Sequence, residues 1–180
     1  MRKPLFLLFI LLLPLSSEAS VARRAGLPDL VGSSSTVVVG TVTQRSSFWS
    51  GTRIYTRNQI TVEEIWLQGT TVDPTKLTLP SSSPILDVHT LGGVVGDIGQ
   101  SVSGSPRLVT GHTYVLFLTE GAPHQWHVVG MAQGAFEASA EVLRPLTQPH
   151  ALKLIGDTTV IPTTRTKLRQ AIIQWVRSQP

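Results

Sequence analysis

Thr36-Val37-Val38-Val39-Gly40-Thr41-Val42-Thr43 is the stretch on which the architecture turns. It is rich in β-branched residues and apolar on both faces, so it predicts a central strand rather than a half-exposed one. Gly40 within it predicts a tight bend or a close backbone approach. Thr113-Tyr114-Val115-Leu116-Phe117-Leu118 has the same character and predicts a second doubly buried strand. Between the two, Arg53 to Trp66 alternates. Ile54, Thr56, Asn58, Ile60 and Val62 fall on one side, and Tyr55, Arg57, Gln59, Thr61 and Glu63 on the other, the pattern of a half-exposed strand. The phase then breaks, because Ile65 rather than Glu64 is apolar, which predicts a bulge at Glu63-Glu64. Gln44 to Thr52 reads as the hairpin loop joining the first strand to this one.

Gly69 ends the alternating strand, and Lys76-Leu77-Thr78-Leu79 predicts a short third one before Pro80. Ser81 to Pro106 is broken by prolines and glycines and leaves room for one extended piece at Ile85 to His89. Trp126 to Val129 and Ala135 to Ala138 predict two short strands that end the sheet as a meander. Behind Pro162, Thr163 and Thr164, which offer a stop and an N-cap, Leu168, Ala171, Ile172, Trp175 and Val176 recur at helical spacing. The expected fold is therefore mainly β: a small OB-like Greek-key barrel of five to six strands with one C-terminal amphipathic helix, 164–178.

Residues 1–19 carry a basic start at Arg2 and Lys3, an apolar run from Leu5 to Leu15 and small residues at Ser17 and Ala19. This is the pattern of a secretory signal peptide cleaved after Ala19. The run is too short for a helix that crosses a bilayer, so no stable membrane anchor is expected after cleavage, and the mature chain is expected to be secreted or periplasmic. Residues 20–35, with two arginines, Gly26, Pro28, Gly32 and a serine triplet, read as a lead-in to a single domain over 36–180. The 180-residue chain has no cysteine, which excludes disulfides, thiolate metal sites and a cysteine nucleophile. Its formal charge of +4 is spread along the chain, a mild bias toward anionic partners.

Val38-Val39-Gly40-Thr41-Val42, then Ile60 to Gly69, then the Gly-rich loop ending in Gly104-Ser105-Pro106, then Gly111-His112-Thr113-Tyr114-Val115-Leu116-Phe117-Leu118 give an order of motifs that resembles a group of exported bacterial proteins with an OB-like barrel and no assigned role. It is also similar to the OB-type barrel of the tissue inhibitors of metalloproteinases and the netrin-like modules. The resemblance spans about Thr36 to Phe136 and implies a barrel. That inhibitor family places an amino-terminal cysteine on its target's metal, and this chain has none, so the resemblance does not carry that activity over.

The most informative cluster is Arg45, Phe48, Trp49, Arg53, Tyr55 and Arg57, aromatics interleaved with cations around the hairpin. Such a set can stack against and charge-match a sugar, a nucleotide or an acidic peptide; the competing reading folds Phe48 and Trp49 over the end of the barrel. Gly96-Asp97-Ile98-Gly99-Gln100-Ser101, with Asp87 and His89 upstream, supplies the residue types of a serine hydrolase, although a triad is defined by geometry. Gly93, Gly96 and Gly99 lack the following Lys-Ser or Lys-Thr of a phosphate loop and read as turn residues. His124 and His127 fall on opposite faces of a strand, and His89 with Asp87 would share one. No cofactor or metal is expected. The leading expectation is an exported, non-enzymatic binding or interaction module for a protein, a glycan or another anionic ligand, with export disfavouring nucleic acid. The alternative is a secreted serine hydrolase using Asp87, His89 and Ser101.

Overall fold

The computed structural model describes residues 21–69, 84–147, 153–156 and 160–179. The signal segment and the strand expected at Lys76–Leu79 lie outside the described residues. In chain order the elements are β1 (Val21–Arg23), α1 (Leu27–Gly32), β2 (Thr36–Ser50), β3 (Arg53–Gln68), β4 (Ile85–Leu91), β5 (Gly93–Val95), β6 (Ile98–Gln100), β7 (Thr113–Glu120), β8 (Trp126–Val128), β9 (Ala135–Ser139), β10 (Val142–Pro145), β11 (Lys153–Ile155) and α2 (Arg165–Arg177). The protein is mainly β. Its principal sheet runs β10-β9-β7-β2-β3-β4-β8, and β8 also pairs with β7.

Because β7 returns to lie beside β2, the strand order is that of a Greek key. The ring β2-β3-β4-β8-β7 comes back on itself only through β8, which is parallel to β4 at Val88–Trp126 and His89–His127 and antiparallel to β7. The expected barrel is thus corrected to a coiled sheet stitched along a three-residue seam, since Gly121–Pro123 and Gly130 leave β8 no length to do more. The expected meander is also corrected: β8 and β9 share one edge of β7 instead of following each other.

Both doubly apolar strands have an apolar layer on each side. Val38, Val42, Tyr114, Leu116 and Leu118 point into the ring with Ile60, Val62, Val88 and Leu108. Val37, Val39, Val115 and Phe117 point outward, where Leu30, Val31, Phe136, Leu168 and Ile172 cover them. The segment read as a lead-in is part of that outer layer. Leu27, Leu30 and Val31 sit at i, i+3 and i+4 of α1 and are buried, and Asp29 accepts the Gly26 N–H at 2.9 Å.

The bulge lies where the sequence places it: Val39 pairs with Glu64 and Gly40 with Val62, so Glu63 has no partner. The shift turns Glu64 toward α2, where Arg165 binds it at 2.6 Å and Trp66 Nε1 donates to it at 2.8 Å. Gly40 meets the predicted close approach, since a Cβ there would stand 2.7 Å from the Thr61 carbonyl oxygen. The loop expected over Gln44–Thr52 is instead strand up to Ser50, with a turn at Gly51-Thr52 and Gly51 at φ 59°. A tight hairpin turn needs that left-handed residue, and two residues suffice to reverse the chain.

Candidate functional site

A further bulge of the same ladder builds the site. Val42 pairs with Ile60 and Gln44 with Gln59, so Thr43 is unpaired and the alternation of β2 inverts above it. Arg45, Ser47 and Trp49 consequently share the inward face with Ile54, Thr56 and Asn58, their cross-strand partners. The ring interior, apolar around Ile60 and Val88, becomes polar at this end. Asn58, fully buried, donates to the carbonyl oxygen of Val88 at 2.9 Å and accepts from Arg45 Nε at 3.1 Å. Thr56 donates to the Gly92 carbonyl oxygen at 2.7 Å. A buried polar group without a partner is costly, so this satisfied network fixes the floor and holds Arg45 across it.

The Gly-rich loop folds over that floor as the β5–β6 hairpin. Gln100 Oε1 accepts the Ile54 N–H at 2.6 Å, and Ser105 Oγ donates to the Leu91 carbonyl oxygen at 2.7 Å. Between loop and floor lies an open cleft of about 520 Å³. Arg45 and Arg107, the hydroxyl residues Ser47, Thr56, Thr90, Ser101 and Ser105, and the backbone of Gly92 and Gly93 line it. No carboxylate is among its described lining residues. Arginine guanidinium and hydroxyl donors around such a space suit a carboxylate, sulfate or phosphate group.

The six residues singled out in the sequence divide between two faces. Arg45 and Trp49 belong to the cleft side, and Trp49 is 46% exposed at the hairpin tip. Phe48 and Tyr55 pair on the opposite face and stack with ring centroids 6.2 Å apart. By alternation Arg53 and Arg57 lie with them. Phe48 also packs edge-on against His89 at 5.6 Å, so it is neither at an open tip nor folded over the barrel end. Trp49 and Tyr55 share no surface.

Asp87 and His89 belong to this outward face too, because Val88 and Thr90, between and after them, point inward. Ser101 lines the cleft on the other side. The structure does not bring the three together. Burial, reinforced by His127, holds the His89 imidazole below its ordinary value, while Asp87 opposes the shift. His124 sits exposed in the β7–β8 turn with φ 62°.

Arg107, Thr90 and Gln100 were not singled out in the sequence. The alternation of Thr56 and Asn58 with apolar residues on a predicted inward face was the available signal, since polar residues there imply either a satisfied network or a wet end to the core. Compared with known proteins, the chain matches no family model, no curated protein and no solved structure.

Proposed function

We propose that the protein is an exported binding module that takes an anionic group of a glycan or an acidic peptide in the cleft between the β2–β3 hairpin and the Gly-rich loop. The observation that carries this reading is the pairing of Arg45, braced by buried Asn58, with Arg107 around a space with no carboxylate among its described lining residues. A secretory pattern at residues 1–19 supports export, and no helix among the described residues is long and apolar enough to cross a membrane. The hydrolase reading loses its support with the separation of Ser101 from His89.

The test is retention of the mature chain on a sulfated polysaccharide and on an acidic peptide at graded salt. Each of Arg45→Ala and Arg107→Ala is expected to weaken binding about tenfold, the worth of a charge-assisted hydrogen bond. Arg144→Ala, which removes the same charge from an exposed position on β10, is expected to leave it near the parent value. Equal losses in all three variants would mean nonspecific attraction and overturn the assignment of the cleft.

A further inference from the structure

On the face of the sheet opposite the cleft, His89 of β4 and His127 of β8 are register partners on adjacent parallel strands. Their ring centroids lie 6.1 Å apart with the planes at 80°. Neither imidazole hydrogen-bonds to another described residue, although both are partly buried. Among the described residues the two imidazoles stand side by side without a hydrogen-bond partner, which sets two nitrogen donors near one ion position. With metal–nitrogen bonds of about 2.0–2.1 Å, two such register-paired rings can reach one ion from opposite sides at a wide nitrogen–metal–nitrogen angle.

Two further observations belong to the same place. Asp87, two residues before His89 on the same face, has a buried Oδ1 without a hydrogen-bond partner. It places a carboxylate oxygen without a partner beside the pair, where a cation would be favoured. In addition, the Cδ2–Nε2 edge of His127 occupies the space of a side chain on Gly121: a Cβ there would stand 2.8 Å from Cδ2 and 2.9 Å from Nε2. Gly121 thus seats the ring and leaves Nδ1 as the nitrogen on its far side. Phe48 packs edge-on against His89, restricting that ring as well. Arg57, across the ladder from His89, opposes a cation, and Asp87 offsets it.

We propose that His89 and His127 form a two-imidazole site for a divalent late-transition-metal ion, Cu²⁺ above Zn²⁺, that clips β4 to β8 across the seam of the coiled sheet. Among the described residues no three ligating side chains converge, so water completes the coordination shell and the site is open. Imidazole ligands suit copper and zinc, and the affinity order favours copper. The clip has a structural consequence, since it bridges the two strands that the backbone joins at only two register positions.

The experiment is calorimetric titration of Cu²⁺ alone into the mature chain in a non-coordinating buffer, with electron paramagnetic resonance of the complex and melting with and without the ion. One equivalent is expected to bind with a spectrum showing two nitrogen ligands, and to raise the melting temperature. His89→Ala and His127→Ala are each expected to abolish that equivalent and the thermal gain, while His124→Ala retains both. His89→Gln, closer in shape and checked for folding by circular dichroism, guards against a merely unfolded variant and is expected to lose binding as well. Unchanged Cu²⁺ affinity in a folded His89 or His127 variant, or loss of the equivalent in His124→Ala, would overturn the site. Because the cleft residues are not involved, retention on the anionic matrices is expected to be unchanged in these variants, which separates this outcome from that of the cleft.

Discussion

Gly93 is where backbone conformation and cleft meet. Its φ is 144°, and a Cβ there would stand 2.5 Å from Thr56 Oγ1 and closer still to Ser47 Oγ. Gly93→Ala therefore strains the chain and drives the loop off the polar floor. The expected outcome is a loss of ligand retention larger than that of Arg45→Ala, with a lower melting temperature; retention at the parent level would show that the loop does not shape the site. Tyr114 offers a test at the other end of the interior. It is 1% exposed, its hydroxyl accepts the Val109 N–H at 3.0 Å, and burial raises its ionisation above the ordinary 10.0. A folded-state value above the unfolded one means that the folded chain holds the proton more tightly. This contribution to stability is complete below pH ~10 and is lost as pH rises through the folded value. Tyr114→Phe is expected to cost about 1 kcal/mol at pH 8 by removing the acceptor, yet to lose less stability than the parent between pH 8 and 11. Urea midpoints at the two pH values measure both effects, and parallel falls would refute the linkage.

Among the elements, α2 was the most legible and its cap the least. The spacing of Leu168, Ala171, Ile172, Trp175 and Val176 fixes both the helix and its buried face, because a 3.6-residue repeat has no other use for that pattern. Of the two threonines that offered a cap, Thr164 stands at the N-cap, but its side chain makes no capping bond. Glu141, from the β9–β10 turn, takes over: its backbone oxygen accepts the Arg165 N–H at 2.9 Å, and its carboxylate accepts from Thr166 N at 3.3 Å and Oγ1 at 2.9 Å. A cap supplied from a distant turn leaves no local signature. Glu141→Ala is expected to destabilise the fold by roughly 0.5–1 kcal/mol, the lower part of the range for lost caps because the site is exposed. Glu141→Gln, which keeps an acceptor, is expected to recover part of it in chemical denaturation. α1 was missed for a related reason. Six residues containing Pro28 and ending at Gly32 look like a loop until Trp175 is found against Gly32.

At the scale of the molecule, one sheet separates two apolar layers, and they are not equally secured. The outer layer is closed by α1 and α2 over β2 and β7. The ring interior is closed by β8, whose Trp126 and Val128 only partly bury themselves against it. Continuous apolar runs in β2 and β7 made the double burial legible. The inversion at Thr43 was not, because an unpaired residue in a polar stretch changes the face of every side chain above it without changing composition. That single register shift separates the six aromatic and basic residues into a cleft set and an outward set, so a cluster contiguous in sequence is not contiguous in space. The same sheet predicts how the chain opens. Freeing β8 breaks only its ladders at Val88–His89 and Leu118–Glu120 and leaves the outer layer intact, whereas freeing β2 breaks both layers at once. Opening is therefore expected to be sub-global. In native-state hydrogen exchange the amides of Trp126, His127 and Val128 should exchange well before those of Val37 to Val39 and Val115 to Phe117, with little dependence on denaturant. Exchange of both sets with the same free energy and the same denaturant slope would show that the seam belongs to the global unit, and that three residues suffice to lock the ring.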